Sequence, residues 1–560
     1  MNHRRWKVLP PAPARYLAEM GLPPLVNQLL YNRGIIDVAQ AEAFLGIEEA
    51  LQGDPFLLSD MEKAVARVYR ALLGGESIAI YGDFDADGVC GTALLINGLS
   101  LLGGKTVPYI PHRVSEGYGL NVESLDNLCQ QGVTLVITVD CGISSVTEVE
   151  YARMKGLDVI ITDHHTLPHT LPPALAVIDP KRESSCCPSY QLAGVGVAYK
   201  LLQGLYQTLG KEEPLQEMLD IVAVGTVADM VPLVGENRYL VKKGLEVLSK
   251  TRRLGLQEMI QLAGLPADDL NADHISWALA PRLNAPGRLD HALSSYKILV
   301  ADSSEEAIYL ARELEWKNTQ RQKLTEEFLS RARHDLSIKG VDSPLLIVGG
   351  EDYPSGVAGL IAGRLAEEFY RPTIVLELGQ DISRGSARSI PEFDITTALG
   401  ECQDLLLRFG GHPMAAGFAL STSNMPAFQQ RLLEIAADRL SGVELCPFLT
   451  IDADTPLYTM NGEVFKLIEG LAPFGKGNPL PAFLSRRVNV LDYRTVGNGS
   501  RHLKMKLRQG DIIWSGIGFG LGELAADVTP QIDIVYNLSV SQWNGVSTLE
   551  LNVLDFAPVR

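Results

Sequence analysis

Four apolar segments in the first half of the chain each end in carboxylate or imidazole side chains. These are Asp83, Asp85 and Asp87 after SIAIYG, Asp140 after TLVITV, Asp163, His164 and His165 after LDVIIT, and Asp229 after IVAVGTVA. In an open parallel sheet the carboxyl ends of all strands lie along one edge, and ligands bind there at the point where the strand order reverses. We therefore expect four buried parallel strands whose polar ends converge on one site.

Strand and helix patterns alternate from about residue 60 to residue 300, which predicts a doubly wound α/β domain with helices on both faces of its sheet. A chain of 560 residues is too long for one hydrophobic core, and three or so domains are expected. The formal net charge of −18 counts mildly against nucleic-acid binding, although one groove of an acidic protein can still be basic.

The composition and the N-terminus favour a cytoplasmic protein. No run reaches the ~18 apolar residues of a membrane span, and no apolar stretch follows the basic N-terminal residues as in a secretory signal. We expect no contact with a membrane. The seven cysteines show no repeated metal-type spacing, and we expect them to be reduced thiols.

The acidic cluster predicts a divalent metal centre. Oxygen donors with one imidazole suit Mn²⁺ or Mg²⁺ better than a structural zinc ion, which prefers thiolates. The number of acids exceeds the needs of one ion, and two ions ~3.5–4 Å apart would stabilise both the attacking and the leaving oxygen of a phosphoryl displacement. The sequence therefore predicts phosphoester hydrolysis.

The remaining segments indicate the domain order. We expect an N-terminal helical extension (residues 1–50) packed on the catalytic domain that follows it (51–300), a connecting helix (301–336), a smaller α/β domain (337–442) and a barrel of the oligonucleotide-binding kind (443–560). The connecting helix has a capping box at Ser303 and Glu306 and would be on the order of 50 Å long. Five or so antiparallel strands are expected in the barrel, with a hairpin turn at Asn544–Gly545.

Several segments outside the acidic cluster carry groups suited to binding phosphate. They contain Arg113, then Arg282, Asn284 and Arg288, then Ser386 and Arg388, and then Gly411 and His412. Guanidinium forks and exposed backbone amides bind phosphate oxygens, but each segment also fits a plainer role as solvated surface, an ordinary loop or a tight turn. The segment LAGVGVA fits close helix packing or an anion site at a helix N-terminus, and Trp514 and Trp543 fit base stacking or the barrel core.

Taken together, GDFDADG, TVDCG, TDHH and GTVADMVPL resemble the motifs of the DHH phosphoesterase superfamily, and GGHPMAAGF resembles its DHH-associated substrate-binding domain. With GYGL, LAGVGVA, PRLNAPGRLD and the terminal barrel in the same order, the likeness extends over nearly the whole chain to the single-strand-specific 5′→3′ exonucleases of that superfamily. The resemblance implies release of 5′-mononucleotides from single-stranded DNA in recombination and repair. It also implies a single-strand-binding protein and a helicase as partners.

The resemblance also implies roles for individual residues. His164 would bind metal, His165 would face the scissile phosphate, and Asp140 would bridge two ions whose other ligands are Asp83, Asp85, Asp87 and Asp229. Asp163 would orient a neighbouring group. Many relatives begin the first motif with a ligating histidine, whereas this chain has Tyr81 and Asp83 in that region. The strand and its 5′ end would be held by Arg113, Arg282, Asn284, Arg288, Ser386, Arg388, Gly411 and His412.

Three other functions fit parts of the sequence. A phosphodiesterase of the same superfamily that acts on short oligoribonucleotides or cyclic dinucleotides would share the site but would not need the barrel. An inorganic pyrophosphatase would need neither the barrel nor the second domain. A metal-free nucleic-acid-binding scaffold is disfavoured because every acidic motif is intact.

Overall fold

The computed structural model describes residues 4–46, 52–113, 115–182, 190–543 and 546–559. The side chains of residues 339, 542, 543 and 546 are outside this description. The N-terminal extension consists of β1 (Arg5–Val8), α1 (Ala14–Met20), α2 (Pro24–Asn32) and α3 (Val38–Leu45).

The catalytic domain contains one five-stranded parallel sheet in the order β3-β2-β4-β5-β6, which confirms the doubly wound prediction. Its strands are β2 (Ser77–Gly82), β3 (Lys105–Tyr109), β4 (Val133–Val139), β5 (Asp158–Thr162) and β6 (Ala176–Ile178). The helices that alternate with these strands along the chain, beginning with the helix before β2, are α4 (Met61–Gly74), α5 (Ala86–Leu101), α6 (Val122–Gln130) and α7 (Val146–Met154). The strand order reverses between β2 and β4, so the crevice expected for a ligand opens at their ends.

A helical layer completes the catalytic domain after β6. It contains α8 (Gly194–Leu209), α9 (Glu213–Glu217), α10 (Leu219–Ala228), α11 (Gly235–Leu248), α12 (Leu254–Leu262), α13 (Ala272–His274), a π-helix (Ile275–Leu279), α14 (Ala280–Leu289) and α15 (Leu293–Val300). The prediction of a fourth strand before Asp229 is wrong, because that segment is α10. All residues of α10 up to Val227 are buried, so its sequence lacks the polar face that reveals a helix.

The connecting helix α16 (Ser304–Lys339) has 36 residues and begins where the sequence predicts. The Ser303 side chain accepts a hydrogen bond from the backbone amide of Glu306. Its first half packs on α12, α14 and α15 and its second half on the next domain, so it joins two domains as expected.

The second domain has a mixed five-stranded sheet in the order β10-β11-β9-β8-β7. Its elements are β7 (Leu346–Gly350), α17 (Ser355–Phe369), β8 (Thr373–Glu377), β9 (Ile382–Arg388), α18 (Ile395–Gly400), β10 (Leu406–His412), β11 (Ala415–Ser421) and α19 (Met425–Arg439). The strand β10 lies at the edge of this sheet and is mostly exposed.

The C-terminal domain is a closed barrel of five strands, as predicted, because β14 pairs with both β15 and β17. Its elements are β12 (Phe448–Ile451), β13 (Ala453–Asp454), α20 (Gly462–Glu469), β14 (Phe483–Val496), β15 (His502–Gln509), β16 (Ile512–Gly518), β17 (Gln531–Trp543) and β18 (Val546–Pro558). The pairing of β16 with β18 is parallel, contrary to the all-antiparallel prediction. The Asn544–Gly545 turn and the Trp543 side chain lie outside the described residues, and Trp514 belongs to the barrel core rather than to a stacking surface.

The N-terminal extension packs mainly on the C-terminal domain, so the prediction that it packs on the domain that follows it is wrong. β1 pairs in parallel with β12, and α1 and α2 share one hydrophobic core with the barrel. Asn32 donates hydrogen bonds to the backbone and the side chain of Asp452. This arrangement joins the two ends of the chain.

Among the described helices, none has both the length and the apolar composition that crossing a bilayer requires. Five cysteines are described, and all five are free thiols: Cys90, Cys129, Cys141, Cys402 and Cys446. Cys186 and Cys187 lie outside the described residues.

Candidate metal centre

The backbone of the parallel sheet places three acidic residues side by side. The amide of Asp83 donates to the Val139 carbonyl, that of Asp140 to the Thr162 carbonyl, and that of Asp163 to the Ile178 carbonyl, over 3.0–3.2 Å. Each acid therefore continues the hydrogen-bond ladder one residue beyond its strand. The prediction that the strand ends converge is confirmed for β2, β4 and β5.

The start of α5 adds two carboxylates to the same edge, and α8 binds one of them. Asp85 caps α5 by accepting from the amides of Asp87 and Gly88 at 3.0 and 3.1 Å. Asp87 in turn accepts from the amides of Gly194 and Val195 at 2.7 and 2.9 Å. The N-terminus of α8 thus binds a carboxylate of the protein itself, and the dipole of α8 favours that charge.

Close packing at Gly194 accounts for the rest of the LAGVGVA segment. A Cβ at this position would lie within 3 Å of the Asp140 side chain, so a larger residue would displace that carboxylate. Asp140 itself has φ 60°, a left-handed conformation that is costly for a residue other than glycine. The structure therefore holds Asp140 in a strained position at the centre of the acidic cluster.

Three groups of side chains each bring their ligand atoms within 4.8 Å of one another. The groups are Asp83, Asp85 and Asp140; Asp87, His164 and Asp229; and Asp140, His164 and His165. Three atoms of this cluster are buried and form no hydrogen bond, namely Asp83 Oδ1, Asp140 Oδ1 and His164 Nε2, although the last two lie only 3.0 Å apart. Because buried polar atoms are normally paired, ligand atoms that lack a hydrogen bond are consistent with a site that binds divalent cations. Asp229 belongs to the cluster although it ends a helix rather than a strand.

The electrostatics of the acids also fit a bound cation. Burial and the charge of Asp85 raise the pKa of Asp87 to about 7 and raise that of Asp83 well above its ordinary value. Burial together with the charges of Asp87 and Asp85 raises the pKa values of Asp140 and Asp229 in the same direction. The cluster is therefore unfavourable as a set of bare carboxylates, and divalent cations would relieve its repulsion.

The two histidines have opposite protonation preferences. Burial, and then the charge of His165, lowers the pKa of His164 to about 3, which leaves the neutral imidazole that binds metals. Burial opposes protonation of His165 as well, but its hydrogen bond with Asp163 and the charge of that carboxylate raise its pKa to about 9. His164 is thus suited to be a metal ligand, and His165 is suited to be a cation beside the cluster.

Asp163 orients its neighbours, as predicted. Its Oδ1 lies 2.7 Å from His165 Nδ1, and its Oδ2 accepts from the Ile143 amide. Sequence reasoning did not assign a role to Tyr118, whose hydroxyl lies 3.1 Å from His165 Nδ1 and donates to the Asp140 carbonyl. It also missed Lys181, which donates to the His164 carbonyl. Lys181 lies three residues beyond the end of β6, whereas the rule applied to the other strand ends concerned acids and imidazoles and would have pointed to Asp179.

Tyr81 is part of the core and not of the metal cluster. Its side chain is fully buried, and its hydroxyl donates to the Gly119 carbonyl. In this chain the first motif therefore contributes carboxylates alone to the cluster.

Four arginines form a second charged group beside the acids. Burial, and then the charges of Arg113, Arg321 and Arg388, lowers the pKa of Arg288 to about 9. Arg113 also lies over the Phe84 ring at 4.8 Å. Within the described chain none of the four arginines forms a salt bridge, so their charges are available to an anion. Arg321 was missed because a single arginine in the highly charged sequence of α16 has no distinguishing pattern.

The other predicted substrate residues differ in their surroundings. Arg282 forms an ion pair with Glu315 at 2.5 Å, and Asn284 Oδ1 accepts from the Ala86 amide at 2.8 Å, so both have protein partners. The prediction that these two residues bind DNA stays a prediction. Their contacts instead tie α14 to the connecting helix and to the start of α5.

The remaining predicted residues lie on the second domain's sheet. Ser386 is two residues before Arg388 on β9, on the same face of the sheet. Gly411 has φ 148° and lies so close to β11 that a Cβ would clash with Ala415 and Ala416. The His412 ring stacks on that of His165, with 6.2 Å between centroids and 9° between planes. The second domain thus reaches the metal cluster of the first.

Known protein families and relatives match nearly the whole length of the chain. The DHH family N-terminal domain matches residues 77–226, the DHHA1 domain matches 342–438, and the RecJ OB domain matches 451–555. The single-stranded-DNA-specific exonuclease RecJ of Bacillus subtilis is 38% identical over 99% of this chain and 71% of its own length.

Two solved structures of RecJ from Thermus thermophilus, one in complex with Mn²⁺ and one with Mg²⁺, superpose on this structure. Their TM-scores are 0.85 and 0.79 at 31% and 30% identity, and both comparisons cover 99% of this chain. They cover 80% and 79% of the RecJ chains.

Proposed function

The chain belongs to the RecJ family, and on that premise we propose that it is a metal-dependent exonuclease that degrades single-stranded DNA from the 5′ end and releases 5′-mononucleotides. The observation that carries this proposal is the cluster of ligand atoms at the switch point of the parallel sheet, with the arginine group beside it. The cluster of ligand atoms supplies the site for hydrolysis, and the arginine group supplies a site for a terminal phosphate.

The donor set fits Mn²⁺ or Mg²⁺, in agreement with the metals in the two RecJ structures. Asp87, His164 and Asp229 would hold one ion and Asp83 and Asp85 the other, with Asp140 close enough to contribute to both groups. When bound, the ions supply positive charge that activates water and stabilises the charge on the phosphate. The protein contributes a rigid arrangement of acids that are fixed by backbone amides.

His165 is placed to act on the substrate rather than on a metal. Its pKa of about 9 favours the imidazolium at neutral pH, and Asp163 and Tyr118 hold the ring from its Nδ1 side. A positive group at this position stabilises the negative charge that develops on phosphate oxygens. We propose that His165 stabilises the phosphorane-like transition state while His164 binds metal.

The arginine group supports the 5′ polarity. A terminal phosphate carries more charge than an internal phosphodiester, and several guanidinium groups without protein counter-charges favour it. Arg113 and Arg288 belong to the catalytic domain, Arg321 to the connecting helix and Arg388 to the second domain, so the bound 5′ end would lie between the domains. We propose that Ser386, Gly411 and His412 hold the adjoining backbone.

The approach of the two domains supports selectivity for single strands. Arg288 Nη1 donates to the carbonyl of Gly356 at 3.3 Å, and a Cβ at Gly356 would clash with the Arg288 backbone. A cleft closed at this point would admit one strand more readily than a duplex. The barrel would bind the strand beyond the cleft without reading its sequence.

The barrel also disfavours the closest alternative, a phosphodiesterase for short oligoribonucleotides or cyclic dinucleotides. The match to RecJ proteins runs through the C-terminal domain, and the RecJ OB domain accounts for residues 451–555. A short oligoribonucleotide or a cyclic dinucleotide would not reach a second binding domain far along the strand.

We further propose the cellular setting that the family suggests. The enzyme would act in DNA recombination and repair in the cytoplasm, where bacterial DNA lies. A helicase would supply its single strands, and a single-strand-binding protein would deliver them.

An end-labelled nuclease assay tests the proposal. With Mn²⁺ we expect a 5′ label on single-stranded DNA to leave as mononucleotide from the start, whereas a 3′ label remains on progressively shorter strands. Asp140→Asn should abolish the reaction, and Asp220→Asn should retain it, because Asp220 is a buried carboxylate at the opposite end of α10 from the cluster. Equal digestion of blunt duplex DNA, release of the 3′ label first, or turnover by Asp140→Asn would contradict the proposal.

A further inference from the structure

A cavity of about 270 Å³ lies where the N-terminal extension, the catalytic domain and the C-terminal domain meet. Its lining includes Arg33, Ala43 and Phe44 from the extension, Gly235 and Arg238 from α11, and Gly477 from the C-terminal domain. It shares no lining residue with the metal centre. The chemistry of the cavity is set by its two arginines.

Arg238 is a buried cation with an unused donor. It is 1% exposed, its guanidinium lies 3.9 Å from the centre of the Phe44 ring, and its Nε and Nη1 donate to the carbonyls of Phe44 and Leu471. Its Nη2 has no hydrogen-bond partner, and within the described residues it forms no salt bridge. Burial and the charge of Arg33 lower its pKa to about 10, so it is charged at neutral pH. A buried charge of this kind is costly unless an anion accompanies it.

The surrounding charges do not neutralise Arg238. The Arg33 side chain is 6% exposed and faces Asp452 at 3.6 Å, which accounts for that carboxylate. Lys242 lies near Arg238 and donates to the Leu45 carbonyl. Glu236, the acid next to the cavity on α11, forms a buried ion pair with Lys200 at 2.8 Å. Among the residues that the structure describes, this junction therefore has an excess of positive charge.

The start of α11 adds a second feature that favours anions. This helix has 14 residues and begins at Gly235, which lines the cavity and has φ 52°. Backbone amides at a helix N-terminus and the helix dipole attract negative charge. Arg238 lies in the first turn of the same helix, so the start of α11 and this arginine line the same cavity.

We propose that this cavity binds a phosphate group, either as free phosphate or as the 5′-phosphate of a mononucleotide. The cavity is slightly smaller than the roughly 300–1,000 Å³ of typical sites for larger organic ligands, which favours a compact anion. A guanidinium and amide donors match phosphate oxygens. A bound anion would join three separate parts of the chain and stabilise their arrangement. The mononucleotide source rests on the proposed function, whereas binding of free phosphate does not.

Thermal unfolding of the full chain with chelator tests this site. Four proteins are compared in phosphate and in chloride of equal ionic strength: wild type, Ala43→Leu, Arg238→Gln and Arg252→Gln. Ala43→Leu fills the cavity without changing any charge, and Arg252→Gln is a matched control because Arg252 is an exposed arginine that pairs with Glu217. Phosphate at about 100 times its dissociation constant should favour the native state about 100-fold where the site is intact.

We expect a saturable rise in Tm for wild type and Arg252→Gln, and no such rise for Ala43→Leu and Arg238→Gln. Phosphate bound by the arginine group near the metal centre contributes equally to all four proteins and does not affect the comparison. The same response in wild type and Ala43→Leu would overturn the proposal. A titration with dCMP separates the two sources, because a tighter response than to phosphate identifies the nucleotide and an equal or weaker one identifies free phosphate.

A second measurement does not depend on the variants. Crystals of the full chain grown with tungstate, a heavy oxyanion, should show an anomalous peak within hydrogen-bond distance of Arg238. Peaks confined to other places, such as the arginine group near the metal centre, would overturn the proposal even if Arg238→Gln failed to fold. Ala43→Leu should retain exonuclease activity on short oligonucleotides, since the cavity lies outside the catalytic machinery.

Discussion

The substitution Asp140→Asn should have opposite effects on stability with and without metal. Asp140 shares the 4.8 Å group with Asp83 and Asp85 and lies against His164, so the wild-type protein without metal holds several repelling charges in a buried space. Asparagine removes one of those charges and keeps the size of the side chain. A residue with a purely structural role would show no such dependence on metal.

The magnitude follows from the distances. At an effective dielectric constant of about 20, two unit charges at 4.8 Å repel by roughly 3 kcal/mol. The raised pKa values mean that the acids are partly protonated at neutral pH, so the realised relief is about 1–3 kcal/mol. At roughly 2–4 °C per kcal/mol for a domain of this size, the variant without metal should unfold several degrees above wild type.

Mn²⁺ should reverse this order. Wild type gains about 2.7 kcal/mol at an ion concentration 100 times the dissociation constant, and a variant that lacks the shared ligand gains little. The assay is differential scanning calorimetry with chelator and with a Mn²⁺ series, with Asp220→Asn as the control that should keep the wild-type response. If Asp140→Asn is less stable than wild type with chelator and still responds to Mn²⁺, the assignment of Asp140 is wrong.

Three further predictions concern pH, the 5′ end and the support of the acids. In metal-free protein, Asp87 binds its proton more tightly in the native state, so its contribution to stability is complete below about pH 3.8 and is lost as the pH rises through about 7. This contribution approaches roughly 4 kcal/mol, so in urea unfolding at several pH values the loss of stability should be smaller by about that amount in Asp87→Asn than in wild type, while the other acids with raised pKa values keep their own contributions. Arg388→Met should raise KM for 5′-phosphorylated strands by about 10–100-fold and leave strands with a 5′-hydroxyl nearly unchanged, and an equal loss on both would count against a terminal-phosphate site. Asn284→Leu leaves the Ala86 amide without its hydrogen-bond acceptor, which should lower the free energy of unfolding by about 1–3 kcal/mol and weaken Mn²⁺ binding. A raised KM for DNA with unchanged Mn²⁺ affinity would instead indicate that Asn284 contacts the strand directly.

The convergence of the acids was predictable because parallel-sheet geometry determines it. Once SIAIYG, TLVITV and LDVIIT are identified as strands, their carboxyl ends must share an edge, and Asp83, Asp140 and Asp163 follow. The element before Asp229 was not predictable in the same way. A ten-residue run that is mostly apolar and almost entirely buried has neither a helical nor a strand periodicity, and the packing around it decides its structure.

Packing contacts between segments that are far apart in the sequence could not be predicted from the sequence pattern either. The N-terminal extension packs on a barrel more than 400 residues later, because β1 finds the edge of β12 there, and no local signal encodes that partner. Arg321 belongs to the arginine group only because of how α16 is rotated about its own axis where it crosses the catalytic domain. Asn284 has the composition of a substrate-binding residue but supports the backbone that carries Asp85.

The most direct test of the metal centre is anomalous diffraction from crystals of the full chain with Mn²⁺. The geometry predicts two manganese peaks at the carboxyl ends of β2 and β4, with Asp140 bound to both, His164 and Asp87 bound to one, and Asp85 bound to the other. Peaks elsewhere, or manganese that leaves Asp140 and His164 beyond bonding distance, would contradict the account.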